Sequence, residues 1–157
     1  MVNEKVKQKI KNNTGLTAGY FDDTEKESME MFGYSFGGAD TLRIIITSAQ
    51  HTCRKYESDE WWELHQHHFA SKVAKMVRTF LERLKDRPDI LEVFKEHPGE
   101  TGHNIYLTAR GAGVGFWDGD WHKDKPPRSG MGVINAFTTE QVNTVCEACE
   151  GLADWAI

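Results

Sequence analysis

A cluster of aromatic, acidic and basic side chains between residues 117 and 128 is the part of the sequence best suited to recognise another molecule. Its candidate binding residues are Trp117, Asp118, Asp120, Trp121, His122 and Arg128. Aromatic and arginine side chains on loops are typical of interaction hot spots, because they combine apolar area with directional hydrogen bonds. Arg110, which precedes a glycine-rich turn, completes the predicted binding site.

The alternating acids of this segment are only superficially like a calcium-binding loop. An EF-hand needs glycine at the position of Lys123 and a bidentate glutamate at the position of Ser129. Aspartates in a turn also accept hydrogen bonds from nearby backbone amides, and we expect that structural role here. An enzyme hypothesis would use His122 as a base oriented by Asp118 or Asp120, which the spacing permits without specifying.

Three histidines, His65, His67 and His68, lie close together, with Glu60 and Glu63 about one helical turn before them. Metal ligands on one helix are spaced by three or four residues and need a further ligand from elsewhere, so this cluster supplies only part of a set. The two-histidine spacing of metalloproteases is absent. We therefore expect histidines that are partly buried or solvated, and neither a metal nor a cofactor.

The cysteines favour packing over redox chemistry. Cys146 and Cys149 have the Cys-x-x-Cys spacing, but they fall within a predicted helix, on its apolar face. A reactive pair is expected at a helix N-terminus, where the helix dipole lowers the thiol pKa. Cys53 stands alone in the sequence, so the second pair of a zinc site is missing.

Length and charge exclude several classes of protein. The chain has 157 residues and a formal net charge of −5, from 19 basic and 24 acidic side chains. That balance argues against general binding to nucleic-acid phosphates, which needs clustered Lys and Arg. The longest uncharged apolar run, Ile44-Ile45-Ile46, is far below the ~20 residues of a membrane span, and the first residues do not resemble a signal peptide. We expect a cytoplasmic protein with no membrane partner.

Helices dominate the predicted elements of the first two thirds of the chain. Apolar residues recur at helical spacing over 2–12 and 42–56, and Asp40 is placed to cap the second of these helices. Residues 15–39 are rich in glycine and predict mostly loop. A short helix is expected over 89–96, before Pro98.

The firmest prediction is one long helix over about 59–86. Ser58 followed by two acids is typical of a helix N-terminus. An apolar stripe then runs from Trp61 to Leu84, and Pro88 ends the pattern.

The pattern changes after this helix and indicates an antiparallel sheet. Alternation resumes on both sides of a glycine-rich turn, which predicts a β-hairpin over about 104–117, and 132–137 is a further candidate strand. Thr138 with Gln141 forms a capping box that starts a last helix. The expected fold class is therefore α+β, in a single domain of residues 1–157.

Alternate glycines at Gly111, Gly113 and Gly115 would leave one face of that hairpin without side chains. We expect Trp117 or Tyr106 to pack over this bare face. The alternative is a ligand or partner lying there.

The residues Gly102-His103-Asn104, Leu107-Thr108, Arg110-Gly111 and Gly115-Phe116-Trp117-Asp118 form a recognisable pattern. It resembles a segment of small proteins encoded by bacteriophages and prophages, which carry Gly-His-Asp, a strand ending Leu-Thr-Arg, a glycine-rich turn and Gly-Phe-Trp-Asp. Residues 70–84 resemble the helix that precedes it in those proteins. This chain departs from the pattern at Asn104, where an acid is usual, and at Ala109, an extra residue before Arg110. The resemblance implies a phage setting and a hairpin, and no particular reaction.

These observations favour binding over catalysis. The leading hypothesis is a small phage-type accessory protein in the host cytoplasm that binds a host protein or a small nucleotide-like ligand. A metal-dependent hydrolase built on the His and Asp clusters is the first alternative. An acidic DNA-mimic inhibitor, using the acids of 22–40 and 140–154, is the second. Trp residues expected at the surface are also compatible with a homodimer.

Overall fold

Six α-helices account for most of the described chain. The computed structural model describes residues 39–113, 115–117, 120–126 and 134–157. The helices are α1 (Ala39–Tyr56), α2 (Asp59–His65), α3 (Phe69–Arg83), α4 (Pro88–Glu96), α5 (Pro98–Arg110) and α6 (Thr139–Ala148), with 3-10 turns at Gly115–Trp117 and Asp154–Ala156. The predicted helix over 2–12, residues 15–38 of the predicted loop over 15–39, and the predicted site residues Asp118 and Arg128 lie outside the described residues.

The predicted α+β class is wrong for the part of the chain that the structure describes. These residues contain no β-strand, and their only ladder-type contact is an isolated parallel bridge between His122 and Phe137. The candidate strand over 132–137 is described only from residue 134, and this portion is irregular apart from that bridge. The architecture is helical, with irregular segments packed onto the helices.

The predicted β-hairpin over 104–117 is replaced by the second half of α5 and a 3-10 turn. Pro98 occupies the first turn of α5, and Gly111 ends the helix in the left-handed conformation, with φ 78°. These are helix start and stop signals. The buried residues Gly102, Ile105 and Tyr106 recur at helical spacing and face α1, so the short apolar alternation belongs to the buried face of a helix rather than to a strand.

Because there is no hairpin, the glycines after α5 do not form a bare strand face. Gly111, Gly113 and Gly115 all have positive φ and carry the chain out of the helix. Tyr106 is buried within α5, and Trp117 remains 42% exposed. The expected packing of either ring over a glycine face is therefore also wrong.

The predicted long helix is two helices joined by a bend at residues 66–68. Ser58 caps α2 as expected, since its hydroxyl accepts a hydrogen bond from the Trp61 amide at 3.2 Å. The bend brings the rings of Trp62 and Phe69 to 4.6 Å. Seven residues of straight helix would separate their Cα atoms by about 10.5 Å along the axis, so the bend allows both rings to pack together in the core. Pro88 lies in the first turn of α4.

The helix predicted over 42–56 is confirmed, and it begins earlier than expected. Helix α1 starts at Ala39, so Asp40 lies inside its first turn instead of capping it. Five of the six residues of the expected apolar face, including Leu42, Ile45 and Cys53, are buried, whereas Tyr56 at its end is 48% exposed. None of the described helices is both long and apolar enough to span a membrane.

Helices α1 and α5 form the most extensive helix pair of the described chain. Gly102 permits their close approach, because a Cβ atom there would lie 2.0 Å from the Ile45 carbonyl oxygen and 2.8 Å from Ser48 Cβ. A glycine at a helix crossing lets the two backbones come nearer than any larger residue would.

A second packing centre is made almost entirely of rings. We call it the aromatic core: Phe80, Phe94, Phe116, Trp121 and Phe137, all buried. Phe80 stacks on Phe116 with ring centroids at 5.9 Å, and Trp121 stacks on Phe137 at 5.7 Å. These rings join α3 and α4 to the segments that lie between α5 and α6.

The start of α6 is confirmed in detail. Thr138 accepts from the Gln141 amide, and the Gln141 side chain accepts from the Thr138 amide, which is the predicted capping box. Asp124 also accepts a hydrogen bond from the Thr139 amide at 3.2 Å. This amide lies 15 residues further along the chain, whereas the predicted role of the aspartates is toward local amides.

Candidate functional site

The structure does not bring the predicted binding residues together into one site. Trp121 belongs to the aromatic core and is 2% exposed, and His122 is fully buried. Arg110 lies at the end of α5, where it pairs with Glu57 of α1. Trp117 is the one tryptophan among the five in the sequence that is more than a third exposed.

A small surface patch forms around Trp117. The Lys125 ammonium lies 5.0 Å from its ring centroid, which is a cation–π arrangement. The His122 ring packs beneath at 5.7 Å. Neither ring nitrogen of His122 has a hydrogen-bond partner among the described residues, and burial together with the Lys125 charge lowers its pKa. His122 is therefore a neutral, buried side chain rather than an accessible base.

Asp120 supports the same segment through its backbone. Its carbonyl oxygen accepts hydrogen bonds from the amides of Ile134 and Asn135, both at 2.8 Å. The carbonyl of Trp121 likewise accepts from Ala136 and Phe137. This pairing fixes where the described parts of the irregular segments lie, so it is structural.

A cleft of about 430 Å³ lies between α1 and α5, away from the predicted binding segment 117–128. We call it the α1–α5 cleft; its lining residues are Ser48, His51, Thr52, Lys55, Tyr56, His103 and Leu107. Its volume falls within the range of about 300–1,000 Å³ that is typical of small-molecule sites. The α1 residues recur at spacings of three and four, so they share one face of that helix.

The lining of the α1–α5 cleft is basic and polar. Lys55 supplies a positive charge, two histidines and three hydroxyls supply further polar groups, and none of the described lining residues is acidic. Such a set of side chains suits an anionic group better than a cationic one.

Hydrogen bonds determine which ring nitrogen of His103, in the wall of this cleft, carries the proton. The Thr52 hydroxyl donates to the Ser48 carbonyl at 3.0 Å, which uses its single proton. The 2.8 Å contact between Thr52 Oγ1 and His103 Nδ1 therefore has the histidine as donor. Burial and the nearby Lys55 charge lower the pKa of His103, so the ring is neutral with its proton on Nδ1.

Tyr56 forms the aromatic end of the α1–α5 cleft. Its ring is 48% exposed and meets Tyr106 edge-on, with centroids 6.4 Å apart. The Arg110 guanidinium lies 5.7 Å from the Tyr56 ring centroid. The ring is thus held from two sides while keeping much of its surface open to solvent.

A buried carboxylate anchors this aromatic end. Glu57 has a side chain that is 4% exposed, and one of its oxygens accepts from Arg110 Nε at 3.1 Å and from the Tyr106 hydroxyl. Burial and the neighbouring carboxylate raise the pKa of Tyr106, which keeps the phenol protonated as a donor. Arg110, the predicted binding residue, therefore borders the cleft but already shares its charge with Glu57.

The three cysteines are free thiols. Burial raises the pKa of Cys53 to about 12 and that of Cys146 to about 11, and it also raises the pKa of Cys149. Thiols that stay protonated are poor nucleophiles and poor metal ligands. This agrees with the packing role predicted for Cys146 and Cys149.

The predicted histidine cluster divides into a pair and a single residue. His65 and His68 contact each other at the bend between α2 and α3, while His67 is exposed. No three His, Cys, Asp or Glu side chains come together as a metal site within the described ranges. His65 packs on Trp61 and Trp155, whereas His122 packs on Trp117, so the two histidines have different aromatic neighbours.

Comparison of the chain with protein families, curated proteins and solved structures finds no match.

Proposed function

We propose that the protein is a non-catalytic binding protein whose α1–α5 cleft takes a small phosphate-bearing, nucleotide-like ligand. The observation that carries the proposal is the pairing of a basic, polar lining with a half-exposed aromatic ring in a cleft of about 430 Å³. Phosphates are bound by lysine and neutral donors, and nucleobases stack on aromatic faces.

The phosphate end of the proposed site centres on Lys55. His51 lies one turn before it on the same face of α1, and Ser48 a further turn back. Lys55 is exposed at the end of α1, so its flexible side chain can turn toward an anion in the cleft. A charge-assisted contact of this kind contributes about 1.5–3 kcal/mol.

The base end of the proposed site centres on Tyr56. Its contacts with Tyr106 and Arg110 fix the ring before any ligand arrives, which lowers the entropy cost of binding. Stacking of one base on an aromatic ring contributes about 1–3 kcal/mol. Arg110 forms an ion pair with Glu57 at this end of the cleft. Its effect on the ligand is therefore indirect, because it positions the Tyr56 ring.

The hydrogen-bond network around Thr52 supports binding rather than catalysis. A nucleophilic hydroxyl must donate its proton to a base. Thr52 donates instead to a backbone carbonyl, and His103 Nδ1 donates to Thr52, so the histidine cannot accept the hydroxyl proton in this arrangement.

The phage-type accessory role remains part of the proposal. It rests on the sequence resemblance of residues 70–84 and 102–118 alone, since the hairpin that the resemblance implied is absent and α5 occupies most of the second segment. A host-protein partner is the second candidate, favoured by the exposed Trp117 with Lys125 over its ring. Tryptophan is enriched at hot spots of protein interfaces.

Calorimetric titration with AMP, ATP and orthophosphate tests the proposal, together with thermal unfolding. A ligand that binds only the folded chain raises the melting temperature. We expect Lys55→Ala to weaken binding by about tenfold or more, and Tyr56→Ala to weaken nucleotide binding while sparing orthophosphate. Lys75→Ala, which removes an exposed lysine of α3, is the matched control.

Two results would count against the α1–α5 cleft as a nucleotide site. One is an absence of heat and of any melting shift with every ligand in the series. The other is equal weakening by Lys55→Ala and Lys75→Ala, which would indicate unspecific attraction of anions. For the second candidate, loss of a captured bacterial protein on Trp117→Ala would favour the Trp117 patch.

A further inference from the structure

The two histidines at the bend between α2 and α3 face each other at close range. His65 Nδ1 lies 3.1 Å from His68 Nε2, and the two rings are nearly perpendicular, with an interplanar angle of 87°. One ring donates N–H to the other in the free protein. This contact is separate from the α1–α5 cleft, so a role for the histidine pair does not depend on the nucleotide-binding function proposed for that cleft.

The distance between the two nitrogens fits the edge of a metal coordination shell. Imidazole nitrogens bind Zn²⁺ at about 2.0–2.1 Å. Two nitrogens that are 3.1 Å apart would therefore subtend about 98° at the ion, between the square-planar and tetrahedral angles. For both lone pairs to face one ion, the donating ring must move its proton to its other nitrogen, and the rings must turn so that the lone pairs point away from the line between the two nitrogens. The exposed position of His68 leaves room for such a turn.

The surroundings hold this pair in place. The His65 ring packs on Trp61 with centroids 4.1 Å apart and meets Trp155 edge-on at 6.1 Å. The His68 amide donates to the His65 carbonyl at 3.1 Å, which fixes the backbone between them. Ligands fixed before binding lose little entropy when the ion arrives.

We propose that His65 and His68 form a two-histidine chelate for a divalent transition-metal ion that prefers imidazole, such as Zn²⁺, Ni²⁺ or Cu²⁺. Water completes the coordination shell on the exposed side, since His68 is exposed. Because the two ligands stand on either side of the bend, the bound ion links the end of α2 to the start of α3. The sequence pattern predicts no metal here because it lacks a third protein ligand, whereas two protein ligands suffice when water supplies the others.

The test uses the full chain after treatment with a chelator, titrated with Zn²⁺ by calorimetry and with Cu²⁺ by tryptophan fluorescence. We expect one saturable Zn²⁺ per chain at this pair and partial quenching by Cu²⁺, because His65 packs on Trp61. The variant His65→Phe removes the ligand and keeps an aromatic ring between Trp61 and Trp155. His68→Ala removes the other ligand at an exposed position.

Both variants should weaken Zn²⁺ binding at least about tenfold, because a single imidazole loses the advantage of a second ligand held nearby. His67→Ala, an exposed histidine between the two, should leave the affinity within about twofold. Far-ultraviolet circular dichroism of each variant confirms that it is folded. Zn²⁺ binding that is absent in the parent protein, or that is unchanged in both His65→Phe and His68→Ala, would overturn the proposal.

Discussion

The α1–α5 interface and the aromatic core use side chains in opposite ways. At the interface, Glu57 and its partners form a buried polar network, and basic side chains line the open cleft beside it. In the aromatic core, five rings pack with few polar groups among them. Of the residues that the sequence pattern marked for recognition, Trp121 lies in the aromatic core, where it supports the fold, and Arg110 belongs to the polar network of the first region.

The difference between the two regions follows from how the backbone amides and carbonyls of each region form hydrogen bonds. Helices α1 and α5 pair their amides and carbonyls internally, so their side chains are free to interact with a ligand. The described parts of the segments around Trp121 and Phe137 have no helix and depend on a few hydrogen bonds between them, such as Phe137 N to Trp121 O at 3.0 Å. Large buried rings then supply most of the stabilisation. An aromatic residue in an irregular segment is therefore better interpreted as part of the core than as part of a binding site, unless its side chain is known to be exposed.

The largest expected effect on stability distinguishes Trp121 from Trp117, two tryptophans that the sequence alone does not distinguish. Trp121→Ala removes a ring from the aromatic core and should lower the free energy of unfolding by about 3–5 kcal/mol. Trp117→Ala, four residues away and 42% exposed, should change it by no more than about 0.5 kcal/mol. Urea unfolding at neutral pH measures both. Equal losses for the two variants would contradict the division between core and surface.

The next largest effect on stability is expected from Glu57, the buried carboxylate between α1 and α5. Glu57→Ala leaves the Tyr106 hydroxyl and the Arg110 guanidinium without their shared acceptor, and we expect a loss of about 2–3 kcal/mol. Glu57→Gln keeps an oxygen for Tyr106 and should cost less. Urea unfolding checks the order of the three proteins. If Glu57→Ala were as stable as the parent chain, the network would have no role in holding α1 against α5.

Much of the helical part of the fold could be predicted because its signals are local. Ser58, Thr138 and Gln141 mark helix starts through contacts within three residues, and the structure confirms all three. The hairpin prediction failed because an apolar alternation of four residues also fits the buried face of a helix. Pro98 and Gly111, which begin and end α5, are the local signals that distinguish the helix from the hairpin.

The α1–α5 cleft could not be predicted from local patterns. Its residues come from two helices about fifty positions apart, such as Thr52 and His103, and only tertiary packing brings them to 2.8 Å. Each of them, taken alone, is an ordinary polar residue on a helix. The one available signal was Gly102, whose missing side chain marks a place where another backbone approaches.

The close crossing at Gly102 can be tested directly. Gly102→Ala places a Cβ atom 2.0 Å from the Ile45 carbonyl oxygen, so α1 and α5 must separate, and we expect a loss of about 1–3 kcal/mol. Gly99→Ala is the matched control in the same helix, because nothing lies within 4 Å of the added atom and alanine favours helix. Thermal unfolding compares the two. A stabilising Gly102→Ala would mean that the helices do not cross closely at this point.

The smallest expected effect on stability comes from an exposed ion pair between α4 and α6, which contrasts with the buried Glu57 pair. Arg87 donates to Asp89 and to Glu140, which links the start of α4 to the start of α6. Hydrogen bonds from Arg87 and Gln141 lower the pKa of Asp89 to about 2. An unfolded aspartate titrates near pH 4, so the stabilisation from Asp89 is fully present above about pH 4 and is lost as the pH falls toward 2. Solvent screens the pair, since the Asp89 side chain is 44% exposed.

We therefore expect Asp89→Asn to lower the urea midpoint slightly at pH 6 and to match the parent chain near pH 2, and 1 M salt at pH 6 should reduce the difference. Glu92→Gln is the control, because Glu92 is also exposed and pairs with Lys95 inside α4 without reaching another helix. A difference between Asp89→Asn and the parent that grew on acidification would reverse the sign required by a lowered pKa. A carboxylate that loses its proton more readily in the folded state must stabilise the fold more at high pH than at low pH. A difference that grew on acidification would therefore mean that the stabilising charge is not on Asp89.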